Sequence, residues 1–267
     1  MFPSDKKIRE KENKLRKWFV RNLNKTKAVI DGFDIGWGGT AVWSTKKISN
    51  YVDKDLNLNI LDVACGYGTF LVELGWRFPN ANLYGLNLDF DPPHKAISSL
   101  LEKANVFAQL IASDALFPPF RKESFDIITC FLGLQDIEIT RGINRLGYLL
   151  KNLMNLIGKN KHLVILDNFP RSKFNLVFEK GLVKKNLIFQ DSFQPICKWS
   201  FEIGKEAVEL YSSGYLQQEL MSENPPDNPE KALMEIKEKM FRDLKSQLEE
   251  KGYFNPWGRM ILSIFKK

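Results

Sequence analysis

Short apolar runs recur along the first two thirds of this chain, with longer segments of helical periodicity between them. Runs that are nearly continuous in Leu, Ile and Val are typical of strands buried on both faces of a parallel sheet. We place strands at 59–64, 82–87, 106–111, 125–131 and 162–167. Helices are predicted at 69–78, 93–104, 141–157 and 172–184. This alternation predicts βα units, and therefore an α/β fold with helices on both faces of a mostly parallel sheet.

The last third of the chain departs from that rhythm. A strand is predicted at 187–193, and helices are predicted at 204–221 and 229–251. A loop is predicted between these two helices, at 222–229, because this segment contains three prolines and a proline inside a helix removes a backbone donor. The final apolar run, 259–266, predicts a strand that returns to the sheet. The helices between the two late strands are therefore interpreted as an insertion, a position typical of lids and substrate walls.

Composition is consistent with a large folded domain and argues against several other classes. With 44% hydrophobic residues among 267, the chain can bury a sizeable core. No run approaches 18 uninterrupted apolar residues, and charges stand where a signal peptide needs an apolar region, so we expect a soluble, cytoplasmic protein without a membrane span. Cys65, Cys130 and Cys197 lie far apart in sequence, so neither a metal site nor a disulfide framework is predicted.

The positive charge is concentrated near the beginning of the chain. Residues 1–27 hold ten basic side chains against three acidic ones, which accounts for the net charge of +7. Apolar residues recur there at roughly helical spacing, so an amphipathic helix with a basic face is predicted. A solvated helix packed on the main domain is the favoured interpretation, and binding to nucleic acid or to an anionic membrane surface is the alternative.

The first predicted strand runs into a turn that contains two glycines, in the stretch ILDVACGYGTF at 60–70. Gly66 and Gly68 let a ligand approach the backbone, and the helix predicted to follow adds free N–H groups. A dinucleotide fingerprint is disfavoured by Leu71, which stands where a third small residue is needed, and a P-loop by the lack of Gly-Lys-Ser/Thr. Asp62 would repel a pyrophosphate, so a nucleoside that carries positive charge is the favoured ligand.

Four segments, in order along the chain, resemble motifs of the class I S-adenosylmethionine-dependent methyltransferases. The strand and glycine turn are similar to the D-x-x-C/G-x-G motif of this family. Leu83–Asp89 is similar to V-x-G-x-D, with Asn87 at the position of the acid. Ser113–Phe120 resembles the D-A-x-x-L-P-F segment, and Ser124–Phe131 resembles the F-D-x-I/V pattern of the fourth strand.

This resemblance implies a Rossmann-like, doubly wound sheet of seven strands with an antiparallel last strand, S-adenosylmethionine as cofactor and S-adenosylhomocysteine as product. It implies that the residue at position 87 meets the ribose hydroxyls and that Asp114 accepts a hydrogen bond from the adenine amine. A neutral amide offers one acceptor and two donors, so the contact made by Asn87 is expected to be weaker or shifted. The implied cofactor-binding residues are Asp62, Ala64, Cys65, Gly66, Gly68, Asn87, Leu88, Asp114, Ala115 and Phe131.

Methyl transfer from a sulfonium is a displacement in which the protein aligns the acceptor and excludes water, with a base only where the acceptor must lose a proton. The candidate catalytic residues are Asp136, Asp167 and His94, although a cap or surface role is favoured for His94. His162 is set aside because it is predicted to open its strand, whereas ligands bind at the carboxyl ends.

The acceptor is predicted from motifs that the chain lacks. No Asp/Asn-Pro-Pro-Tyr/Phe follows the fourth strand, and no Pro-Cys pair is present. These absences argue against amide or nucleobase amines and cytosine C5 as acceptors, and they leave an O, N or C atom of a small molecule as the favoured acceptor. The candidate substrate-binding residues are Trp37, Gln135 and Tyr215.

The predicted organisation is one domain with four parts: an N-terminal lid at 1–51, a cofactor-binding core at 52–200, a helical insertion at 201–252 and a final core strand at 253–267. Four glycines surround Phe33 and Trp37, which predicts a mobile aromatic flap. The resemblance implies that this flap covers the active site, where an aromatic face can stabilise a sulfonium, and a tight connection that packs Trp37 is the equal alternative.

Two further functions stay open beside a small-molecule methyltransferase. One is methylation of RNA or protein recruited by the basic N-terminal segment, in which case affinity should fall steeply with salt. The other is a nucleoside-binding module without turnover, in which Asn87 replaces the acid of active enzymes.

Overall fold

The structure is a computed structural model that describes residues 38–88, 94–221 and 225–267, without the side chains of 94–96, 140, 217, 218 and 221. The predicted basic helix and the flap around Trp37 therefore lie outside the described residues. The helices are α1 (Gly39–Ile48), α2 (Thr69–Arg77), α3 (His94–Lys103), α4 (Leu134–Arg141), α5 (Ile143–Leu156), α6 (Arg171–Lys180), α7 (Phe201–Met221) and α8 (Pro229–Lys251). The strands are β1 (Asn59–Val63), β2 (Asn82–Asn87), β3 (Ala108–Ala112), β4 (Phe125–Phe131), β5 (Ile157–Asp167), β6 (Leu187–Phe193) and β7 (Met260–Lys266).

The strands form one seven-stranded sheet in the order β3-β2-β1-β4-β5-β7-β6. The first five strands in this order pair in parallel, and β7 runs antiparallel to both of its neighbours. Helices lie on both sides of the sheet. The predicted doubly wound, mostly parallel sheet with an antiparallel last strand is therefore confirmed.

The centre of the sheet is apolar because β1 and β4 are covered on both faces. On one face, Leu61 and Val63 of β1 and Ile128 and Cys130 of β4 are buried in one core cluster with leucines of α5. On the opposite face, Ile60 of β1 and Ile127 of β4 are buried as well. Burial of this kind explains why the strands are near-continuous in aliphatic residues rather than alternating. The rigid centre holds the carboxyl ends of the strands in fixed positions.

The predicted helix at 141–157 is wrong at both ends. The helix in this range, α5, begins only at Ile143, and a separate helix that was not predicted, α4, ends at Arg141. The two meet at Gly142, whose φ of 76° and ψ of 156° are incompatible with a continuous helix. At the other end, Ile157 already belongs to β5. Consequently His162 lies within β5 and not at its start, although it is still five residues before the carboxyl end.

The predicted start of β3 is also wrong. The strand begins at Ala108, because the N–H of Val106 bonds to the carbonyl of Leu101 at the end of α3. Phe107 follows with 83% of its surface exposed. The apolar residues Val106 and Phe107 therefore precede the strand and do not belong to it.

Within the described segments the chain divides into two compact units, one of residues 40–193 with 259–267 and the other of residues 38–39 with 194–258. The whole sheet belongs to the first unit. The second has its own small core around α7 and α8, formed by Cys197, Trp199, Ala207, Val208, Leu244 and Phe254. The roles predicted for the parts at 1–51 and 201–252 stay predictions. None of the helices in the described segments has the length and apolarity that a bilayer crossing requires.

Candidate cofactor-binding site

The sheet reverses its winding between β1 and β4. From β1 the chain proceeds to β2 and β3 on one side, and it then returns to β4 on the other side. Loops diverge at such a switch point, and open α/β sheets bind their ligands in the resulting crevice at the carboxyl ends of the strands. Here the two loops begin close together, because a Cβ placed on Gly133 would lie 2.7 Å from the Cβ of Ala64. Ala64 and Leu132, each following its strand, both have a φ of 56°, a left-handed conformation that is unusual outside glycine.

The loop after β1 exposes its backbone at this edge. Gly66 and Gly68 have φ values of 54° and 80°, and the N–H of Gly68 closes a turn on the carbonyl of Cys65 at 2.9 Å. A Cβ on Gly66 would meet a single described neighbour within 4 Å, the carbonyl oxygen of Ala64 at 3.9 Å. Gly68 precedes α2 and has no side chain that could cap the first N–H groups of this helix. The loop therefore offers open backbone and a helix N-terminus to a ligand.

Asn87, the last residue of β2, holds this loop with both ends of its amide. Its Oδ1 accepts the N–H of Gly66 at 3.0 Å, and its Nδ2 donates to the carbonyl of Gly66 at 3.1 Å. The side chain is buried. The residue predicted to meet the ribose is thus bonded to the peptide groups on either side of Gly66.

Asp62 is buried in β1 and is only partly satisfied. Its Oδ1 accepts the hydroxyl of Thr129 at 2.6 Å, from the residue that pairs with it across to β4. Its Oδ2 is buried and has no hydrogen-bond partner among the described residues. Burial raises the pKa of the Asp62 carboxyl from 3.8 to about 7, against which the Thr129 hydroxyl acts to lower it. A ligand that brings positive charge or a donor would satisfy this carboxylate.

Asp114 follows β3 and is engaged by two partners. Its Oδ1 accepts the N–H of Leu116 at 2.9 Å, and its Oδ2 lies 3.0 Å from the guanidinium of Arg141 at the end of α4. Arg141 is a residue that the sequence analysis missed. No local pattern links it to Asp114, because the pair depends on the position of a helix that was not predicted.

Apolar side chains line the same edge. Phe131, the last residue of β4, stacks on Phe70 in the first turn of α2, with ring centroids 4.3 Å apart and planes 10° apart. Cys65 is buried, whereas Ala64, Leu88 and Ala115 are half-buried. The predicted cofactor residues therefore lie in or just after the carboxyl ends of β1, β2, β3 and β4, at one edge of the first unit, and their individual roles stay predictions.

Asp167 caps α4. Its Oδ2 accepts the N–H groups of Leu134 at 2.9 Å and Gln135 at 3.3 Å, and its Oδ1 accepts that of Asn168 at 2.9 Å. Burial raises the pKa of Asp167 to about 6, while these N–H groups and Lys173 act to lower it. Gly133 at the start of α4 has no side chain to cap the helix, so this carboxylate does so from the neighbouring strand.

The other candidates have separate locations. Gln135 and Asp136 lie in the first turn of α4, where Gln135 is half-buried and Asp136 is exposed. His94 begins α3, but its side chain, like Trp37, lies outside what the structure describes. Tyr215 lies on α7 in the second unit with 49% of its surface exposed. Within the described segments, His, Cys, Asp and Glu form no group of three or more that could hold a metal ion.

Residues 60–153 match the family model of a methyltransferase domain. An uncharacterized protein of Methanocaldococcus jannaschii is 24% identical over 170 residues, which cover 62% of this chain and 63% of that protein. A candidate methyltransferase of Bacillus halodurans has a similar structure, with a TM-score of 0.56, 16% identity and coverage of 84% of this chain and 99% of the other. The plantazolicin methyltransferase BpumL, solved with S-adenosylhomocysteine, gives a TM-score of 0.52 at 16% identity and covers 100% of both chains.

The match thus spans less than two thirds of the archaeal relative's own length, and the two solved structures are similar to this chain in fold. The matched range, 60–153, contains Asp62, the glycine loop, Asn87 and Asp114. Together with the order of the strands, it confirms the resemblance to class I methyltransferases that the sequence motifs predicted.

Proposed function

We propose that this chain, which has the fold of the class I S-adenosylmethionine-dependent methyltransferases, transfers a methyl group from that cofactor to a small-molecule acceptor. The observation that carries the proposal is the open glycine loop at the switch point, which Asn87 holds from the neighbouring strand. This loop falls inside the range that matches the methyltransferase domain.

The described residues fit this cofactor in two respects. Gly66 leaves the backbone uncovered at the carboxyl edge of β1, where a nucleoside can approach it closely. Asp62 keeps one buried carboxylate oxygen without a partner in the described part of the chain. The cofactor supplies a methyl group on a positively charged sulfur, and a carboxylate is the natural complement of a ligand with that charge.

The chain's own contribution is mainly alignment and exclusion of water. Asp167 has both oxygens bonded to backbone N–H groups, so we propose that it positions α4 rather than taking a proton. Asp136, in the first turn of that helix and exposed, is the better candidate base for an acceptor that must lose a proton.

The proposal of a small molecule as the acceptor depends on the segment that joins β4 to α4. Phe131–Asp136 contains none of the prolines found in enzymes that methylate amides and nucleobase amines. BpumL, whose name gives plantazolicin as its acceptor, shares this fold along its whole length.

The test is calorimetric titration with S-adenosylhomocysteine, followed by turnover of S-adenosylmethionine with a panel of acceptors. Gly66→Ala places a methyl group on the open face of the loop, and it should weaken binding at least tenfold, on the order of the effect of a lost backbone contact. Gly252→Ala is the matched control, since Gly252 also has a positive φ, of 75°, and open space around its Cβ position. Both substitutions should cost about 1 kcal/mol of stability.

Three results would redirect the proposal. If the folded wild-type protein fails to bind S-adenosylhomocysteine, the proposed cofactor is wrong. Equal binding by the two alanine variants would remove the glycine loop from the site. Binding without methyl transfer to any acceptor would favour the nucleoside-binding module.

Methylation of RNA or protein is the second candidate, and it is favoured by the charge of residues 1–27. It predicts that RNA binds with an affinity that falls steeply with salt concentration and that deletion of residues 1–24 removes this binding. Cofactor binding should survive that deletion, because the residues proposed for it lie in or just after the carboxyl ends of β1 to β4.

A further inference from the structure

We infer that Asn87 is a positioning residue that orders the glycine loop, and that its side chain does not hold the ribose. The geometry of the loop carries this inference, while its consequence for cofactor binding rests on the proposed function. Asn87 is 1% exposed, and its amide oxygen and nitrogen lie 3.0 Å and 3.1 Å from the N–H and carbonyl of Gly66. Both polar atoms of the side chain therefore already have partners at hydrogen-bond distance.

The two bonds explain why an amide stands where related enzymes have an acid. Gly66 presents one donor and one acceptor, and an asparagine amide complements both at once. A carboxylate at the same position would still accept the N–H, but its second oxygen would face the Gly66 carbonyl without a proton between them. The exchange of acid for amide is thus a requirement of this loop rather than a loss of the site.

Ordering this loop has a direct effect on affinity. Glycine loses more conformational freedom on being fixed than any other residue, and Gly66 is held in a left-handed conformation with φ of 54°. In the free protein the asparagine fixes the peptide beforehand, so a ligand that contacts the loop does not have to order it. Removal of either bond transfers that cost to the binding step.

The experiment compares Asn87→Asp with wild type by calorimetric titration of S-adenosylhomocysteine at pH 8.5. The matched control is Asn255→Asp, because the Asn255 amide also joins backbone donors and acceptors, in the other unit: its Oδ1 accepts the N–H of Cys197 at 3.0 Å, and its Nδ2 donates to the carbonyls of Pro195 at 3.1 Å and Trp257 at 3.3 Å. We expect Asn87→Asp to bind at least about tenfold more weakly and Asn255→Asp to bind like wild type. If Asn87→Asp binds as tightly as wild type or more tightly, as a ribose contact would predict, the inference is overturned.

A pH series separates positioning from a general loss of structure. At low pH the protonated carboxyl of Asn87→Asp regains a donor for the Gly66 carbonyl, so its affinity should approach that of wild type at pH 5.5. Asp62 and Asp167 titrate in both proteins, and the ratio of the two affinities cancels their contributions. A ratio that does not change with pH would contradict the inference.

The loop is also tested without any ligand. In wild type the Gly66 amide should be protected from hydrogen exchange, and Asn87→Ala should expose it while the amides of β4 stay protected. Unchanged exchange at Gly66 would overturn the inference. Because this readout does not use the cofactor, failure of the wild-type protein to bind S-adenosylhomocysteine would refute the proposed function alone.

Discussion

Asp62 should make the protein less stable as the pH rises, and Asp62→Asn should remove that dependence. Burial raises the pKa of this carboxyl from 3.8 to about 7 in the folded protein. Between these values the folded state binds a proton that the unfolded state releases, so stability is highest at low pH and falls as the pH rises through the window. The asparagine keeps an oxygen for the Thr129 hydroxyl but does not titrate.

The size of the effect on the free energy of unfolding follows from the difference between the two pKa values of Asp62. One pKa unit corresponds to about 1.4 kcal/mol, so full ionisation of Asp62 opposes folding by roughly 4 kcal/mol. Part of this change occurs below pH 5, where most proteins approach acid unfolding. Between pH 5 and pH 8 the free energy of unfolding should fall by roughly 2–3 kcal/mol more in wild type than in Asp62→Asn.

Urea unfolding at pH 5, 6, 7 and 8 measures this difference. Other titrating groups, such as Asp167 and His162, are present in both proteins and cancel in the comparison. Asp243→Asn, at an exposed position on α8, is the control and should follow the wild-type curve. If Asp62→Asn loses as much stability as wild type over this range, Asp62 does not take up a proton on folding, and a raised pKa for this carboxyl is refuted.

Three further perturbations test other parts of the structure. Asp167→Ala removes the acceptor of three backbone N–H groups and should lower the free energy of unfolding by about 3 kcal/mol in urea denaturation. A loss below about 0.5 kcal/mol would contradict the role of Asp167 as the cap of α4. Gly204→Ala would place a Cβ 2.5 Å from the Leu244 side chain, between α7 and α8, so it should lower the free energy of unfolding by about 1–3 kcal/mol. Gly258→Ala, where the Cβ meets open space, should change it little, and equal melting temperatures of the two variants would refute the close packing. Burial, followed by the charges of Lys266 and Lys161, lowers the pKa of His162 from 6.5, so the stability that its neutral form provides is lost as the pH falls below about 6.5. His162→Gln should therefore lose less stability than wild type between pH 7 and pH 5, and parallel stability curves for the two proteins would refute this.

The sheet was largely predictable from the sequence because its signals are local. The bounds of β4 were predicted to the residue and those of β1 to within one residue, since buried strands are aliphatic runs between glycine, proline and polar residues. The bounds of β2 and of the half-buried edge strand β6 were also predicted to the residue. The order of helices and strands then restricts the topology to a doubly wound sheet. The glycine loop could also be placed, because a turn with two glycines at the end of a buried strand has few structural explanations.

The partners of the site residues were decided by the tertiary structure. Asp62 meets Thr129 because β1 and β4 pair in that register, 67 residues apart in the chain. Asp167 caps α4 across 33 residues, and without that distant carboxylate the helix has only Gly133 at its start, which is why its existence was missed. Asn87 could be assigned by motif to the ribose, yet its hydrogen bonds go to Gly66. Composition and periodicity therefore determined which segments become strands and helices, whereas the hydrogen bonds of each buried polar side chain depend on which strand ends the folded sheet brings together.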